Sequence, residues 1–217
     1  MKVGTDGVTL GAWADVDGCS SILDVGTGSG LIALMLAQRN QQAIIDAIDI
    51  DAEACSQAGE NFAASPFGSR LGIIHEPLSS FAERCGKRYD MIVSNPPYFI
   101  NSLKSPNSRR NTARHTDMLP LEELVSAGKR LLEPSGRLAL ILPIERERDI
   151  RGAAVGNCLN VVRVARLMPR EGREAKRLLM ELSDVKDYLC KEEEITVLAA
   201  DGKFTDDYAA LTASFYL

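Results

Sequence analysis

Five short apolar runs separated by stretches of helical character constrain the fold of this chain most strongly. The runs span residues 21–26, 43–50, 71–74, 89–94 and 136–143. Such alternation predicts a parallel sheet with helices on both faces. Two later runs joined by "REGRE" predict an antiparallel pair of strands. Residues 194–203 predict a further strand or strand-like run, and residues 205–217 predict a closing helix. We therefore expect an α/β fold with a doubly wound, mostly parallel, seven-stranded sheet and an antiparallel edge.

Length and composition bound the classes of protein to which the chain can belong. Its 217 residues, 45% hydrophobic and 25% charged, predict one globular domain over residues 1–217. No apolar run approaches the roughly 18 residues of a membrane span, and the first residues lack the pattern of a secretory signal. The five scattered cysteines form no CxxC pair. We expect a cytoplasmic protein that has no structural metal, no disulfide framework and no contact with a membrane.

The net charge is −5, but basic residues are concentrated in two segments. Residues 101–115 carry four basic side chains and no acid, inside a stretch at 99–117 whose lack of periodicity predicts a long loop. Residues 163–177 carry six basic side chains and two glutamates. Such segments on an acidic chain indicate attraction of a polyanion, although solvated loops with scattered arginines would give the same composition.

A glycine-rich turn, "LDVGTGSGL", places Gly26, Gly28 and Gly30 between the first predicted strand and the first predicted helix. Glycine allows a positive φ and lets a ligand approach the backbone closely. The GxGxG spacing differs from the GxGxxG of dinucleotide-binding proteins, and no GK[ST] follows as in a phosphate-binding P-loop. A plain strand-to-helix turn is the alternative interpretation.

Two carboxylates accompany this turn. Asp49 ends the next predicted strand, 19 residues beyond Gly30, where α/β folds place an acid on ribose hydroxyls. Alternation along that strand favours Asp49 for this role and leaves Asp51 to cap the following helix. Asp24 can accept hydrogen bonds from amides of the turn or from an ammonium group of a ligand. Together these residues predict a site for S-adenosylmethionine, with a nicotinamide cofactor as the rival.

The fourth predicted strand ends in "SNPPYF", residues 94–99. If the first and fourth strands are neighbours, Asn95 faces the glycine turn. Its amide oxygen and the carbonyl of Pro96, held by locked φ angles, can accept the two hydrogens of a planar amine, and Tyr98 offers a ring for stacking. Such a clamp would favour attack of the nitrogen on a methyl sulfonium without a general base or a metal. An ordinary strand exit is the alternative.

These motifs resemble a known family. "LDVGTGSG", "AIDID" and "SNPPY" are similar to Rossmann-like class I S-adenosylmethionine-dependent methyltransferases that act on amine or amide nitrogens. More narrowly, "MKVGTDGVTLGAWA", "SNPPYFINSLKSP", "RNTARHTD" and "YAALTASFYL" resemble the bacterial valine-tRNA adenine N6-methyltransferases, which modify the adenine 3′ of the anticodon, position 37. The NPPY motif alone does not separate adenine N6, guanine N2 of rRNA and protein glutamine N5 as acceptors.

The resemblance implies a role for each matching residue and a tRNA partner, without an obligate protein partner. It implies that the target base is held by Asn95, Pro96, Pro97 and Tyr98. It implies RNA contacts by Lys104, Arg109, Arg110, Arg114 and His115. It implies that the cofactor is bordered by Lys2, Thr5, Asp6, Gly7, Asp24, Gly26, Thr27, Gly28, Gly30, Asp49, Ile50, Glu76, Leu78 and Asn95.

The chain departs from the family pattern in two places. Where many class I enzymes carry an acid for the adenine amine of the cofactor, this chain has Pro77, so Glu76 or the backbone of Leu78 would have to substitute. In addition, relatives usually have a short β segment before the match begins.

Overall fold

A computed structural model of the protein describes residues 4–97 and 119–216. The strands are β1 Ser21–Val25, β2 Ile44–Asp49, β3 Leu71–His75, β4 Tyr89–Ser94, β5 Leu132–Pro143, β6 Asn160–Arg170, β7 Arg177–Ser183 and β8 Lys191–Leu198. The helices are α1 Thr5–Trp13, α2 Leu31–Arg39, α3 Ala52–Ala64, α4 Leu78–Arg84, α5 Leu121–Leu131, α6 Glu147–Gly156 and α7 Asp206–Thr212. Short 3₁₀ turns lie at Gly68–Arg70 and Ile144–Arg146. The basic loop predicted at residues 99–117 falls outside the described residues.

The sheet confirms the predicted fold class, with one more strand than expected. Its order is β3-β2-β1-β4-β5-β7-β6-β8. Strands β1 to β5 run parallel, and β7 is antiparallel to both β5 and β6. The expected count of seven was wrong because β8 pairs in parallel with β6 and adds an eighth strand. The order reverses between β1 and β4, where open α/β sheets bind ligands.

Both faces of the sheet are buried, which the alternating side chains of β4 make clear. Met91 and Val93 pack in the cluster that α1, α2, α3 and α7 cover. Ile92 packs on the opposite face in the cluster that α4, α5 and α6 cover. This two-sided burial explains why the parallel strands are nearly continuous apolar runs in the sequence. In the described parts of the chain, no helix is long and apolar enough to cross a membrane.

Helix ends follow local signals where the sequence supplies them. The side chain of Asp51 accepts hydrogen bonds from the amides of Glu53 and Ala54, which confirms its predicted role as the cap of α3. Thr205 caps the closing helix in the same way, but that helix ends at Thr212 and is shorter than expected.

The sequence did not predict α1, because its glycines have low helix propensity. Packing compensates for this low propensity: a Cβ at Gly11 would lie 2.8 Å from Sδ of Met35, so glycine allows α1 to lie directly on α2.

Candidate active site

The glycine turn and the Asn-Pro-Pro segment begin side by side on adjacent strands. Strand β1 pairs with β4 in parallel register, with Val25 opposite Ser94. The Ser94 hydroxyl donates a buried hydrogen bond to the Val25 carbonyl at 2.8 Å. Gly26 and Asn95 each follow directly after this pair. The condition for Asn95 to face the glycine turn, that the first and fourth strands are neighbours, is therefore met.

The turn itself depends on positive φ angles. Gly26 and Gly28 have φ values of 69° and 57°. A Cβ at Gly26 would meet no atom of the described residues within 4 Å, so these residues leave open space beside the backbone of the turn. Gly30 has a different task, because its Cβ would overlap the ring of Phe62 on α3. With φ of 80° it forms the cap of α2 and lies away from the cavity.

Asp24 lies beneath the turn and is completely buried. Its Oδ2 accepts hydrogen bonds from the Thr27 hydroxyl at 2.6 Å and from the Ala33 amide at 3.1 Å. Its Oδ1 has no hydrogen-bond partner among the described residues. Burial raises the pKa of Asp24 to about 6, opposed by the bond from Thr27. The carboxylate thus ties the turn to the start of α2.

Asp49 lies at the end of β2 and contacts the same turn from its other side. Its Oδ2 accepts from the Gly28 amide at 2.8 Å, and its Oδ1 accepts from the Asp51 amide at 3.0 Å. Each carboxylate oxygen has a second lone pair, so Asp49 can still accept from a ligand. Ile50, next in the chain, is 49% exposed and offers an apolar surface beside it.

The end of β3 contributes an ion pair and a helix start. Glu76 accepts from Arg84 on both carboxylate oxygens, Oε1 from Nε at 3.0 Å and Oε2 from Nη2 at 2.5 Å, and these bonds hold the pKa of its carboxyl below the usual range. The Glu76 amide donates to the Asp49 carbonyl at 3.0 Å. Leu78 begins α4, so its amide has no partner within the helix and can donate to a ligand.

These strand ends enclose a cavity of about 670 Å³, a size typical of small-molecule sites. Of the residues assigned to the site from sequence, its walls contain Asp6, Gly7, Gly26, Thr27, Gly28, Asp49, Ile50, Glu76, Leu78, Asn95, Pro96 and Pro97. Asp24, Gly30 and Thr5 are not in the wall; the first two shape the turn, and Thr5 begins α1. Lys2, Tyr98, Lys104, Arg109, Arg110, Arg114 and His115 lie outside the described residues. Within the described ranges, no three His, Cys, Asp or Glu side chains cluster as a metal site would require.

Sequence reasoning missed part of the cavity wall, notably Leu119, Glu123, Pro143 and Arg177. Pro143 ends a parallel strand, so its position at the carboxyl edge was available as a signal. The position of Arg177 in the cavity wall could not be predicted in this way, because it depends on the register of β7 on β5, which pairs Arg177 with Pro143. Its guanidinium donates to the Asp6 carboxylate at 2.7 Å and so joins β7 to the start of α1.

Helix α1 also approaches the Asn-Pro-Pro segment. A Cβ on Gly7 would lie 3.9 Å from Nδ2 of Asn95, so the first turn of α1 borders that amide. The cavity therefore has two ends, the glycine turn with Asp49 at one and Asn95 with Pro96, Pro143 and Arg177 at the other.

Comparison with known proteins agrees with this geometry. Residues 15–163 match the methyltransferase small domain family. A tRNA1(Val) (adenine(37)-N6)-methyltransferase from Parabacteroides distasonis is 48% identical over all of this chain and 91% of its own length. A Bacteroides fragilis protein of the same name is 43% identical with the same coverage. The crystal structure of a predicted O-methyltransferase from Agrobacterium tumefaciens has a TM-score of 0.74 over 96% of both chains. At 18% identity it shows likeness of fold alone.

Proposed function

We infer the substrates of the chain from its family, because it belongs to the methyltransferase small domain family. Within that family it belongs to the tRNA1(Val) (adenine(37)-N6)-methyltransferases. It transfers a methyl group from S-adenosylmethionine to the exocyclic N6 of an adenine in tRNA, at position 37 of a valine tRNA. One observation supports the proposal beyond the names of relatives: Asn95 and Gly26 directly follow a paired Ser94 and Val25. The segment that we propose to bind the amine therefore adjoins the turn that we propose to bind the cofactor.

The residues present suit the cofactor. The open space beside Gly26 leaves room for the part of the cofactor that lies against the backbone of the glycine turn. Asp49 retains acceptor capacity for the ribose hydroxyls. Ile50 offers an apolar face for the adenine. Glu76 is held by Arg84, but its carboxylate oxygens keep acceptor capacity. In the absence of an acid at the position of Pro77, Glu76 is therefore the acceptor for the adenine amine, and the Leu78 amide is a donor for a ring nitrogen. When bound, the cofactor supplies a methyl group made electrophilic by its sulfonium.

Asn95 and Pro96 act on the target amine. The Asn95 amide oxygen and the Pro96 carbonyl accept the two N6 hydrogens, and Tyr98 stacks on the base. These bonds draw the nitrogen lone pair out of conjugation with the ring and aim it at the methyl carbon. The nitrogen proton becomes acidic once the new bond forms, so water can remove it and no side-chain base is required.

The RNA must present an extruded base, because N6 is inaccessible to the cavity while the base is stacked. Lys104, Arg109, Arg110, Arg114 and His115 follow Tyr98 closely in sequence. In this proposal they contact the phosphates next to the target nucleotide.

The proposal is tested with tRNA from a strain that lacks the modification. We expect label transfer from S-adenosylmethionine and, by mass spectrometry of nucleosides, N6-methyladenosine at position 37 of valine tRNA. An Asn95→Ala variant, expected to turn over about a hundredfold more slowly, is the control. A product containing N2-methylguanosine, or no transfer to RNA by folded protein that binds S-adenosylhomocysteine, would contradict the proposal. A thermal shift with S-adenosylhomocysteine but none with NAD excludes the nicotinamide alternative.

A further inference from the structure

Basic side chains are distributed unequally along the β6–β7 hairpin. Towards the amino end of β6, Arg163 pairs with Glu193 at 2.8 Å and Arg166 pairs with Glu147 at 3.2 Å. These arginines, part of the basic segment noted at residues 163–177, therefore serve the fold by connecting strands and helices. The sequence alone left open whether that segment binds a polyanion, and for this half of it the contacts are structural.

The other end of the hairpin is different. Arg170, Arg173 and Lys176 are exposed, and none has a carboxylate within 4 Å among the described residues. We call residues 170–176 the basic turn. It also contains two acids, Glu171 and Glu174, but Glu171 is engaged by the amide of Ala200 at 3.2 Å. The turn therefore carries three exposed cations and two glutamates, a net charge of +1, and none of the three cations forms an ion pair among the described residues.

The basic turn lies at the edge of the sheet where the cavity opens. Strand β6 ends and β7 begins at the carboxyl edge of β5, since β7 is antiparallel to both. Arg177, the residue after the turn, lies in the cavity wall opposite Pro143. The turn is held at its base, because the Lys176 amide donates to Leu167 at 3.0 Å and the Lys176 carbonyl accepts from Ile144 at 3.2 Å.

We propose that the basic turn binds backbone phosphates of the RNA beside the target nucleotide, an inference that rests on the proposed function. Phosphate contacts fix the register of a nucleic acid on a protein, and extruding a base requires the flanking backbone to be held. Arg173 and Lys176 are placed for this role because they are charged, exposed and close to the wall that contains Arg177. The basic turn is separate in sequence from residues 101–115, so in this proposal a second segment of the protein contacts the RNA backbone.

The test compares two double variants that remove the same charge. Arg173→Gln/Lys176→Gln removes two cations from the basic turn. Lys186→Gln/Lys191→Gln is the matched control, because both lysines are exposed, have no ion-pair partner among the described residues and lie beyond the opposite end of β7. Arg170 is left intact, since its guanidinium packs near Gly202. Binding of a fluorescein-labelled, unmodified valine tRNA transcript is measured by anisotropy from about 50 to about 200 mM salt.

We expect the basic-turn variant to raise the Kd for tRNA about tenfold and to make the slope of log K against log salt shallower by about 1.4, or about 0.7 for each lost contact to single-stranded RNA. The control pair should keep the wild-type Kd and slope, and both variants should bind S-adenosylhomocysteine as the wild type does. If wild type methylates the tRNA and the two variants show the same Kd and slope, the inference is wrong while the proposed function stands. If wild type neither binds nor methylates tRNA, both fail together.

Discussion

The Ser94 hydroxyl donates a 2.8 Å hydrogen bond to the Val25 carbonyl inside the sheet, directly beneath the point where Asn95 and Gly26 leave it. Because both groups are buried, a Ser94→Ala variant leaves that carbonyl with one acceptor site unfilled. We expect the free energy of unfolding to fall by about 1–3 kcal/mol, and kcat to fall with it as the Asn95 amide loses its position. Urea denaturation and initial rates measure the two effects.

Ser183 provides the control for this variant. It is also a buried serine at the end of a strand, but its hydroxyl has no hydrogen-bond partner in the described parts of the chain. Removing an unpaired buried hydroxyl relieves a desolvation cost, so Ser183→Ala should leave stability unchanged or increase it. Equal losses from the two variants would show that the Ser94–Val25 bond contributes nothing specific.

Asn95→Ala should lower kcat about a hundredfold, as expected for the loss of a hydrogen bond that strengthens in the transition state. The affinity for S-adenosylhomocysteine should change little, because the amide borders the acceptor end of the cavity. Single-turnover rates and calorimetric titration separate the two quantities. A collapse of cofactor affinity with an unaltered rate at saturation would mean that the two ends of the cavity have been assigned in reverse.

Asp49 and Asp51 are two residues apart, but we expect their substitution to have different effects, one on cofactor affinity and the other on stability. Asp49→Ala should raise the Kd for S-adenosylhomocysteine about tenfold or more, since charge-assisted hydrogen bonds contribute about 1.5–3 kcal/mol each. Asp51→Ala removes the cap of α3 and should cost about 1 kcal/mol of stability, with much less effect on affinity. Calorimetric titration and urea denaturation of both variants check this, and the reverse pattern would place the ribose contact on Asp51.

The sequence predicted the parts of the fold that depend on local signals. Apolar runs located the parallel strands, and the Asp51 cap of α3 followed from the acid placed before a helical stretch. The adjacency of β1 and β4 could only be assumed, because the point where an open α/β sheet reverses its strand order is set by the tertiary fold. Binding roles of the residues in the cavity remain predictions.

The features that were missed depend on packing between distant segments. Helix α1 is rich in glycine and forms because it lies against α2, as the contact of Gly11 with Met35 indicates. The sequence indicated a further strand-like run at residues 194–203, but its pairing with β6 could not be predicted, and neither could the register of β7 on β5 that brings Arg177 to the cavity. Gly30 matches the motif, yet its absent side chain makes room for Phe62, which no spacing rule identifies.

The need for glycine at position 30 can be tested by comparing Gly30→Ala with an alanine substitution at a glycine that has no steric or φ constraint. Gly30→Ala must adopt a φ of 80° and overlap Phe62, so we expect a loss of about 2–5 kcal/mol in the free energy of unfolding. Gly152 lies in α6, and a Cβ there would meet no atom of the described part of the chain within 4 Å. Gly152→Ala should therefore stabilise the protein by up to about 1 kcal/mol. Urea denaturation distinguishes these outcomes, and a tolerated Gly30→Ala would show that the turn can relax.

The contribution of Asp24 to the free energy of unfolding should decrease as pH rises, which is the opposite of the usual behaviour of a carboxylate. Burial raises its pKa to about 6 in the folded protein, whereas an unfolded aspartate titrates near about 3.9. The folded state therefore binds more protons between these values, and the contribution of Asp24 to stability falls as pH rises through that window. The full effect corresponds to about 3 kcal/mol.

Comparison of wild type with Asp24→Asn isolates this contribution, because the other carboxylates are common to both proteins. The asparagine oxygen can still accept from Thr27 and Ala33, while the position of Oδ1 receives an amide that cannot ionise. In urea denaturation series without cofactor, the stability of the variant relative to wild type should increase from about pH 4 to about pH 6 and stay constant above it. A difference that is flat across this range would contradict the raised pKa and the idea that a buried charge lies beneath the glycine turn.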